Sequence, residues 1–190
     1  CLEVLRSLPD ASVDAVVTDP PYGIGFMGKG WDVAVPGDEF AREAFRILKP
    51  GGHLIAFAAT RTVHRLAVAI EDAGLEIRDL IGWLQWQGFP KSLDVSKAID
   101  RSVGAEREVV GSSSNFGAST QAEGKTSFGD YAGVWNITTP SSDDAKKWNG
   151  WGTALKPSIE PAVLARKPLE GTVAENVLKW GTGGLNIDVA

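Results

Sequence analysis

The residues best suited to chemistry are Thr18-Asp19-Pro20-Pro21-Tyr22, which directly follow a short apolar and β-branched segment. That segment, Ser12 to Thr18, is predicted to be a strand covered on both faces. Ligands of open α/β sheets bind at the carboxyl ends of such strands. Two hydrogen-bond acceptors are adjacent there, the Asp19 carboxylate and the Pro20 carbonyl, since proline lacks an N–H but keeps its C=O. Such a pair could accept both hydrogens of one amino group.

This arrangement suits the activation of a weak amino nucleophile, such as the exocyclic amino group of a nucleobase. Its lone pair is delocalised into the ring, and two acceptors on its N–H groups would localise that pair. The ring-locked φ angles of Pro20 and Pro21 would keep the Pro20 carbonyl fixed, and an extruded base could stack on Tyr22. The alternative is an ordinary strand-end turn, in which Asp19 accepts local backbone hydrogen bonds. The second proline and the tyrosine favour the functional interpretation.

The tetrapeptide resembles the catalytic motif of the DNA amino-methyltransferases, which methylate adenine N6 or cytosine N4 with S-adenosylmethionine. The similarity includes the lead-in from Leu2 to Asp14, the turn Leu48-Lys49-Pro50-Gly51-Gly52, and the run from Lys156 to Pro161. An aspartate in first position favours adenine N6, with cytosine N4 as the alternative. Other open alternatives are an amino or amide nitrogen of RNA or protein, and an inactive nucleic-acid-binding remnant.

The resemblance implies an open, mostly parallel, doubly wound α/β sheet of class I methyltransferase type. It implies in-line methyl transfer without a covalent enzyme intermediate, double-stranded DNA as the partner, and a cytoplasmic, prokaryotic or phage-encoded enzyme of restriction–modification or an orphan enzyme. The implied catalytic residues are Asp19, Pro20, Pro21 and Tyr22. The implied contacts to S-adenosylmethionine come from Thr18, Asp19 and Pro20.

One family feature is not found in the sequence, an aromatic-x-Gly-x-Gly turn directly after a strand, which cradles the methionine part of the cofactor in that family. The chain also lacks an initiator methionine and begins on Cys1. We therefore expect an incomplete, C-terminally truncated fragment of an enzyme with the catalytic motif first, and little activity from the fragment alone.

A second glycine pattern lies directly downstream. Residues 23–28 read Gly-x-Gly-x-x-Gly, which is formally a dinucleotide fingerprint. Such a fingerprint opens a helix directly after a strand, whereas Pro-Pro-Tyr intervenes here and Lys29-Gly30-Trp31-Asp32 does not begin a helix. The expectation is a mobile loop over the site, with a dinucleotide enzyme as the alternative.

Composition limits the remaining classes. The chain has 190 residues, with 19 Lys and Arg against 24 Asp and Glu and a net charge of −5, which excludes a uniformly basic nucleic-acid coat but not a local basic groove. The single cysteine, Cys1, forms no internal disulfide, and neither His53 nor His64 belongs to a metal-binding cluster. No apolar run approaches the roughly 20 residues of a membrane helix.

The elements that position the motif follow from periodicity. Residues 12–18, 53–58, 76–86 and 159–167 are predicted strands, and residues 38–48, 61–73, 94–103 and 172–179 are predicted helices. Gly74 is expected to end the second helix, and residues 111–129 to form a long loop. The expected domains are a catalytic core at 1–86, an irregular insertion and candidate target-recognition region at 87–152, and a return to the core at 153–190.

Basic and aromatic residues indicate where DNA would bind. The candidates are Lys29, Lys91, Lys97, Arg101, Arg107, Lys146, Lys147 and Trp148, with Trp135 and Trp151 nearby. Phosphate neutralisation and aromatic stacking are how such surfaces bind nucleic acid. The alternative is that the tryptophans pack and the lysines are merely solvated.

Overall fold

The structure is a computed structural model that describes residues 2–25, 30–85, 92–114, 125–126, 129–130, 134–155 and 157–189. The chain forms two compact units. The core unit comprises Cys1–Gly88 and Pro157–Ala190, and the inserted unit comprises Phe89–Lys156. No helix in the described part of the chain is long and apolar enough to cross a membrane.

The core unit contains a four-stranded sheet with the strand order β1-β2-β8-β3. Its strands are β1 (Val13–Thr18), β2 (Leu48–Phe57), β3 (Glu76–Leu84) and β8 (Ile159–Arg166). β1 pairs with β2 in parallel, and β8 is antiparallel to both of its neighbours. Three of the four strands therefore run in one direction, and β1, β2 and β3 end at the same edge of the sheet.

The α/β class is confirmed, but the strand pairing is less parallel than the sequence suggested. The chain leaves the sheet after Leu84 and returns at Ile159, which is the partner of Leu84 in the β3–β8 register. Because β8 starts at the edge where β3 ends, it must run back in the opposite direction. It thereby separates β2 from β3.

The helices of the core unit are α1 (Leu2–Ser7), α2 (Asp38–Ile47), α3 (Val63–Asp72) and α6 (Val173–Trp180). The predictions for the last three are correct within a few residues at each end, whereas α1 was not predicted. Gly74 adopts a φ of +97° just after α3, as expected of a glycine that ends a helix. Thr172 and Glu175 form a reciprocal capping box at the start of α6.

The hydrophobic core lies on one face of this sheet. Leu54 of β2 and Val163 of β8 pack there with Leu66 and Ile70 of α3. The expectation that β1 is covered on both faces is wrong. Val17 is 69% exposed because it points to the face opposite this core.

The inserted unit contains α4 (Val95–Ser102), β4 (Val109–Ser114), β5 (Lys125–Thr126), β6 (Gly129–Asp130), β7 (Val134–Thr138) and α5 (Asp143–Lys147). The prediction of α4 is correct within one residue at each end. The long loop expected at 111–129 is partly wrong, since β4 pairs antiparallel with β7 and β5 pairs with β6. A Gly-Ser segment has low strand propensity, so its pairing depends on the β-branched partner β7.

Candidate active site

The Asp-Pro-Pro-Tyr segment lies at the carboxyl edge of the sheet, directly after β1. Asp19 is exposed and Pro20 is buried. The backbone is thus fixed in the fold while the carboxylate remains open to a ligand. Thr18, the last residue of β1, is half-buried at the same edge.

Tyr22 is half-buried and contacts Asp19. Its hydroxyl lies near the Asp19 carboxylate. Burial, the interaction of the hydroxyl with that carboxylate and the negative charges of Asp19 and Glu160 raise the pKa of Tyr22 far above its usual value. The phenol therefore stays protonated to a higher pH than an exposed tyrosine would.

Glu160 is a neighbour of Tyr22 that the sequence analysis did not name as a candidate site residue. It lies near the start of β8, opposite Trp83 of β3, and its charge acts on Tyr22. In the sequence it was marked only as part of the run from Lys156 to Pro161. Its position near Tyr22 depends on β8, which begins more than 130 residues after Tyr22 in the chain.

Two side chains hold the backbone just after Tyr22. Thr62 donates its hydroxyl hydrogen to the Tyr22 carbonyl at 2.8 Å. The Asp32 carboxylate is only 1% exposed. It accepts the N–H of Gly23 at 2.8 Å and that of Ile24 at 3.3 Å. No pattern in the sequence indicated either contact.

The backbone conformation and the space at position 23 favour glycine over any residue with a Cβ. Its φ is +66°, and a Cβ there would lie 2.7 Å from the backbone nitrogen of Val35. Residues 23–25, the first part of the expected loop, are tied to Asp32, since the Gly25 N–H also donates to the Asp32 carbonyl at 2.8 Å. The remainder of that expected loop, 26–28, and the candidate Lys29 lie outside the described residues.

A dinucleotide fingerprint is not formed in the described part of this segment. Residues 23–25 do not open a helix, and Gly30–Asp32 form a short 3-10 turn before α2 begins at Asp38. The geometry needed to place a pyrophosphate on a helix N-terminus is thus missing there.

The Lys-Pro-Gly-Gly turn lies at the amino end of β2, opposite the edge that carries Asp19. Gly51 has a φ of +77°, and a Cβ there would lie 2.5 Å from the Asn176 side-chain nitrogen. The fully buried Asn176 donates to the Pro50 carbonyl at 3.0 Å and to the Thr182 carbonyl at 2.8 Å. This turn therefore fastens α6 to the sheet and contributes no group to the site.

The candidate DNA-binding residues of the inserted unit lie on α4 and at the end of α5. The described and exposed ones are Lys97, Arg101, Lys146, Lys147 and Trp148. Trp148 meets Trp151 edge to face, with ring centroids 5.0 Å apart. Lys146 pairs with Asp143 at 2.9 Å. Lys91 and the Trp135 side chain lie outside what the structure describes.

Arg107 does not belong with these cations. Its guanidinium pairs with the buried Asp100 at 2.7 Å and also donates to Ser96 and Thr138. Burial alone would raise the pKa of Asp100, but hydrogen bonds from Ser141, Ser142 and Arg107 hold that pKa well below its usual range. Arg107 is therefore committed to the fold of the inserted unit and is not free to bind a phosphate.

No group of three or more His, Cys, Asp or Glu side chains in the described ranges could hold a metal ion. His64 is exposed on α3. Burial, with the nearby charges of Arg166 and Arg78, lowers the pKa of His53, so its imidazole is neutral at pH 7.

Two solved structures align with most of this chain. TTHA0409 of Thermus thermophilus, a candidate DNA modification methylase, aligns at 20% identity and a TM-score of 0.43, over 94% of this chain and 55% of that one. The M1.HpyAVI–SAM complex aligns at 15% identity and a TM-score of 0.40, over 88% of this chain and 48% of that one. No family model matches the chain.

Two curated proteins are similar to this chain in sequence. The type II methyltransferase M.HindIII of Haemophilus influenzae is 25% identical over 226 residues, which covers 96% of this chain and 61% of that protein. The type II methyltransferase M.HpaI of Haemophilus parainfluenzae is 27% identical over 112 residues, covering 52% of this chain and 34% of that protein. The chain thus spans less than two thirds of the length of either relative.

Proposed function

We propose that the full-length protein is an S-adenosylmethionine-dependent DNA methyltransferase of restriction–modification type, acting on an exocyclic amino group, with adenine N6 favoured. The observation that carries this proposal is Asp19, an exposed carboxylate directly after the carboxyl end of β1, with the buried Pro20 next to it and the Tyr22 side chain nearby. The likeness to M.HindIII and M.HpaI, both named type II methyltransferases, supports the same activity.

The chemistry of the proposed step follows from the groups at this edge. The Asp19 carboxylate and the Pro20 carbonyl accept the two amino hydrogens of an everted base, which localises the nitrogen lone pair. As that pair forms the new N–C bond, positive charge develops on the nitrogen, and the Asp19 carboxylate stabilises it. One amino proton then passes to Asp19 and on to water. The Tyr22 ring supplies a stacking surface, and its hydroxyl orients the carboxylate.

The described residues fit part of the cofactor. S-adenosylmethionine supplies a methyl group on a positively charged sulfonium and leaves as a neutral thioether. An exposed carboxylate at an open strand end suits that positive charge, which assigns Asp19, with Thr18 and Pro20, to the side of the cofactor that faces the base. None of the described residues is assigned to the adenosine or amino-acid parts.

We also propose that the inserted unit contributes to DNA binding. Its exposed cations Lys97, Arg101, Lys146 and Lys147 would neutralise phosphates of double-stranded DNA, and Trp148 would stack or wedge at a base. Lys29 and Lys91 remain part of this proposal on the sequence alone.

Product analysis tests the proposed function. The full-length protein is incubated with duplex DNA and S-adenosylmethionine labelled in its methyl group, the DNA is digested, and the nucleosides are separated. We expect label in N6-methyladenine. Label in N4-methylcytosine would support the cytosine alternative, and specific DNA binding without any labelled nucleoside would support an inactive remnant.

A further inference from the structure

We infer that Asp32 and Thr62 are positioning residues that together fix one peptide group, Tyr22–Gly23, and thereby the direction of the Tyr22 side chain. This inference rests on the proposed function, since it assigns these two residues to the same reaction. Neither residue touches the reacting atoms in this proposal. Both act through the backbone of the Asp-Pro-Pro-Tyr segment.

The argument begins with the two polar groups of that peptide. The Tyr22 carbonyl accepts from the Thr62 hydroxyl at 2.8 Å. The N–H on the other side of the same peptide bond, that of Gly23, donates to the Asp32 carboxylate at 2.8 Å. Because a peptide unit is planar, a side-chain partner on each of its two polar groups fixes the orientation of the whole plane.

Thr62 makes this contact instead of a more usual one. It occupies the N-cap position of α3, where a threonine hydroxyl normally accepts an N–H of the first helical turn. Here the side chain makes no capping hydrogen bond and is directed to Tyr22. The ordinary structural explanation for a threonine at this position therefore does not apply.

The burial of the Asp32 carboxylate is likewise explained by its hydrogen bonds to the backbone just after Tyr22. A carboxylate that is 1% exposed carries a desolvation cost that hydrogen bonds must offset. Its two oxygens accept from successive residues, Gly23 and Ile24. Gly23 allows this approach, because its φ of +66° and its contact with Val35 exclude a Cβ.

The consequence reaches Tyr22 and Asp19. Without these two contacts the backbone at Tyr22 and Gly23 could shift as a unit, and the Tyr22 side chain would no longer be held beside the Asp19 carboxylate. An error of about 1 Å in the position of a catalytic group can cost about 100-fold in rate. The two residues should therefore affect the rate of the chemical step more than the affinity for DNA.

The experiment uses the full-length protein and measures single-turnover methyl transfer, DNA affinity and thermal stability. Thr62→Val removes the hydroxyl at nearly constant shape and Thr62→Ser restores it, while Thr60→Val is the matched control, since Thr60 is exposed two residues earlier. Asp32→Asn keeps one acceptor oxygen and Asp32→Ala keeps none. Asp72→Asn, at the exposed end of α3, is the control for loss of an acidic side chain.

We expect Thr62→Val to slow methyl transfer about tenfold and Asp32→Ala about 100-fold, with DNA affinity changed less than twofold. Thr62→Ser should recover most of the rate, and Asp32→Asn should fall between Asp32→Ala and the parent. The double variant Asp32→Ala/Thr62→Val should be little slower than Asp32→Ala, because both changes release the same peptide.

Two outcomes would overturn the inference. One is an unchanged rate in both Thr62→Val and Asp32→Asn; the other is a Thr62→Val defect that Thr62→Ser fails to rescue or that falls wholly on DNA affinity or melting temperature. If the parent protein transfers no methyl group, the proposed function fails. Amide hydrogen exchange then still tests whether Asp32 holds this backbone. Exchange at Gly23 and Ile24 must accelerate in Asp32→Ala but not in Asp72→Asn.

Discussion

Two buried aspartates, one in each unit, fasten a loop by accepting backbone N–H groups. Asp32 of the core unit holds Gly23 and Ile24, and Asp100 of the inserted unit holds Ser141 and Ser142. Both carboxylates are 1% exposed. They differ in what lies beside the fastened loop.

Beside Asp32 the loop carries an exposed acid, Asp19, whereas Asp100 lies among basic residues. Arg107 is paired with Asp100, while Lys97 and Arg101 on the same helix region are exposed. Residue type alone does not distinguish an anchoring side chain from one that is free to meet a ligand. Burial and partners do distinguish them, for the acids of the core unit and for the cations of the inserted unit.

The largest expected effect concerns the cations of the inserted unit. Arg107→Leu removes the partner of a buried carboxylate, which costs roughly 3–5 kcal/mol of folding free energy when such a pair is broken. Urea denaturation, monitored by amide hydrogen exchange in α4 and β7, measures this loss. The matched variant Arg101→Leu, on an exposed side chain, should change stability by no more than about 0.5 kcal/mol. Equal losses in the two variants would refute the distinction between them.

The second expected effect is a difference in stability between two glycine variants in the loop held by Asp32. Gly23 and Gly25 have nearly the same φ, +66° and +65°, but only Gly23 has a neighbour within 4 Å of the position of a Cβ. Gly25→Ala should therefore cost about 1 kcal/mol of left-handed strain, and Gly23→Ala at least about 1 kcal/mol more, for the overlap with Val35. Chemical denaturation of both variants gives the difference. Indistinguishable midpoints would mean that the Val35 contact carries no cost.

The third effect is a pH dependence at Tyr22. Its pKa is raised in the folded protein, chiefly by burial and then by Asp19, whereas in the unfolded chain it is about 10. The neutral phenol therefore stabilises the fold fully below pH 10, and this contribution is lost as the pH rises above 10. The denaturation midpoint is measured at pH 8 and again above pH 10. The drop in midpoint between these two conditions should be larger for the parent protein than for Tyr22→Phe. Parallel declines would show that Tyr22 ionises normally.

The smallest effect is on DNA binding. Lys147 is exposed on α5, so Lys147→Gln should lower the slope of log affinity against log salt concentration by about 0.9, the value for one phosphate contact on duplex DNA. Lys179→Gln is the control, since Lys179 is paired with Glu170 in the core unit. A slope that changes equally in both variants would remove Lys147 from the DNA-binding surface.

Local patterns in the sequence were enough to place most elements. The periodicities that predict β1, α2, α3 and α6 depend on neighbours within a few residues, and the structure confirms these elements. The open position of Asp19 could also be anticipated, because the strand and the prolines that define it are contiguous.

Long-range relations could not be read in this way. The reversed direction of β8 depends on where the chain returns to the sheet, and the role of Arg107 depends on Asp100 and on Thr138, which is 31 residues away. Thr62 lies 40 residues from Tyr22, and Asp32 reaches Gly23 only because Gly23 adopts a positive φ. No local pattern encodes these contacts.

The most direct test of the account is single-turnover methyl transfer by Asp19→Ala in the full-length protein, with Asp72→Ala as the control. We expect a loss of about 1,000-fold or more in Asp19→Ala, with DNA affinity and melting temperature close to those of the parent, because this carboxylate is exposed and its backbone is held elsewhere. Methyl transfer at the parental rate by Asp19→Ala would contradict the account.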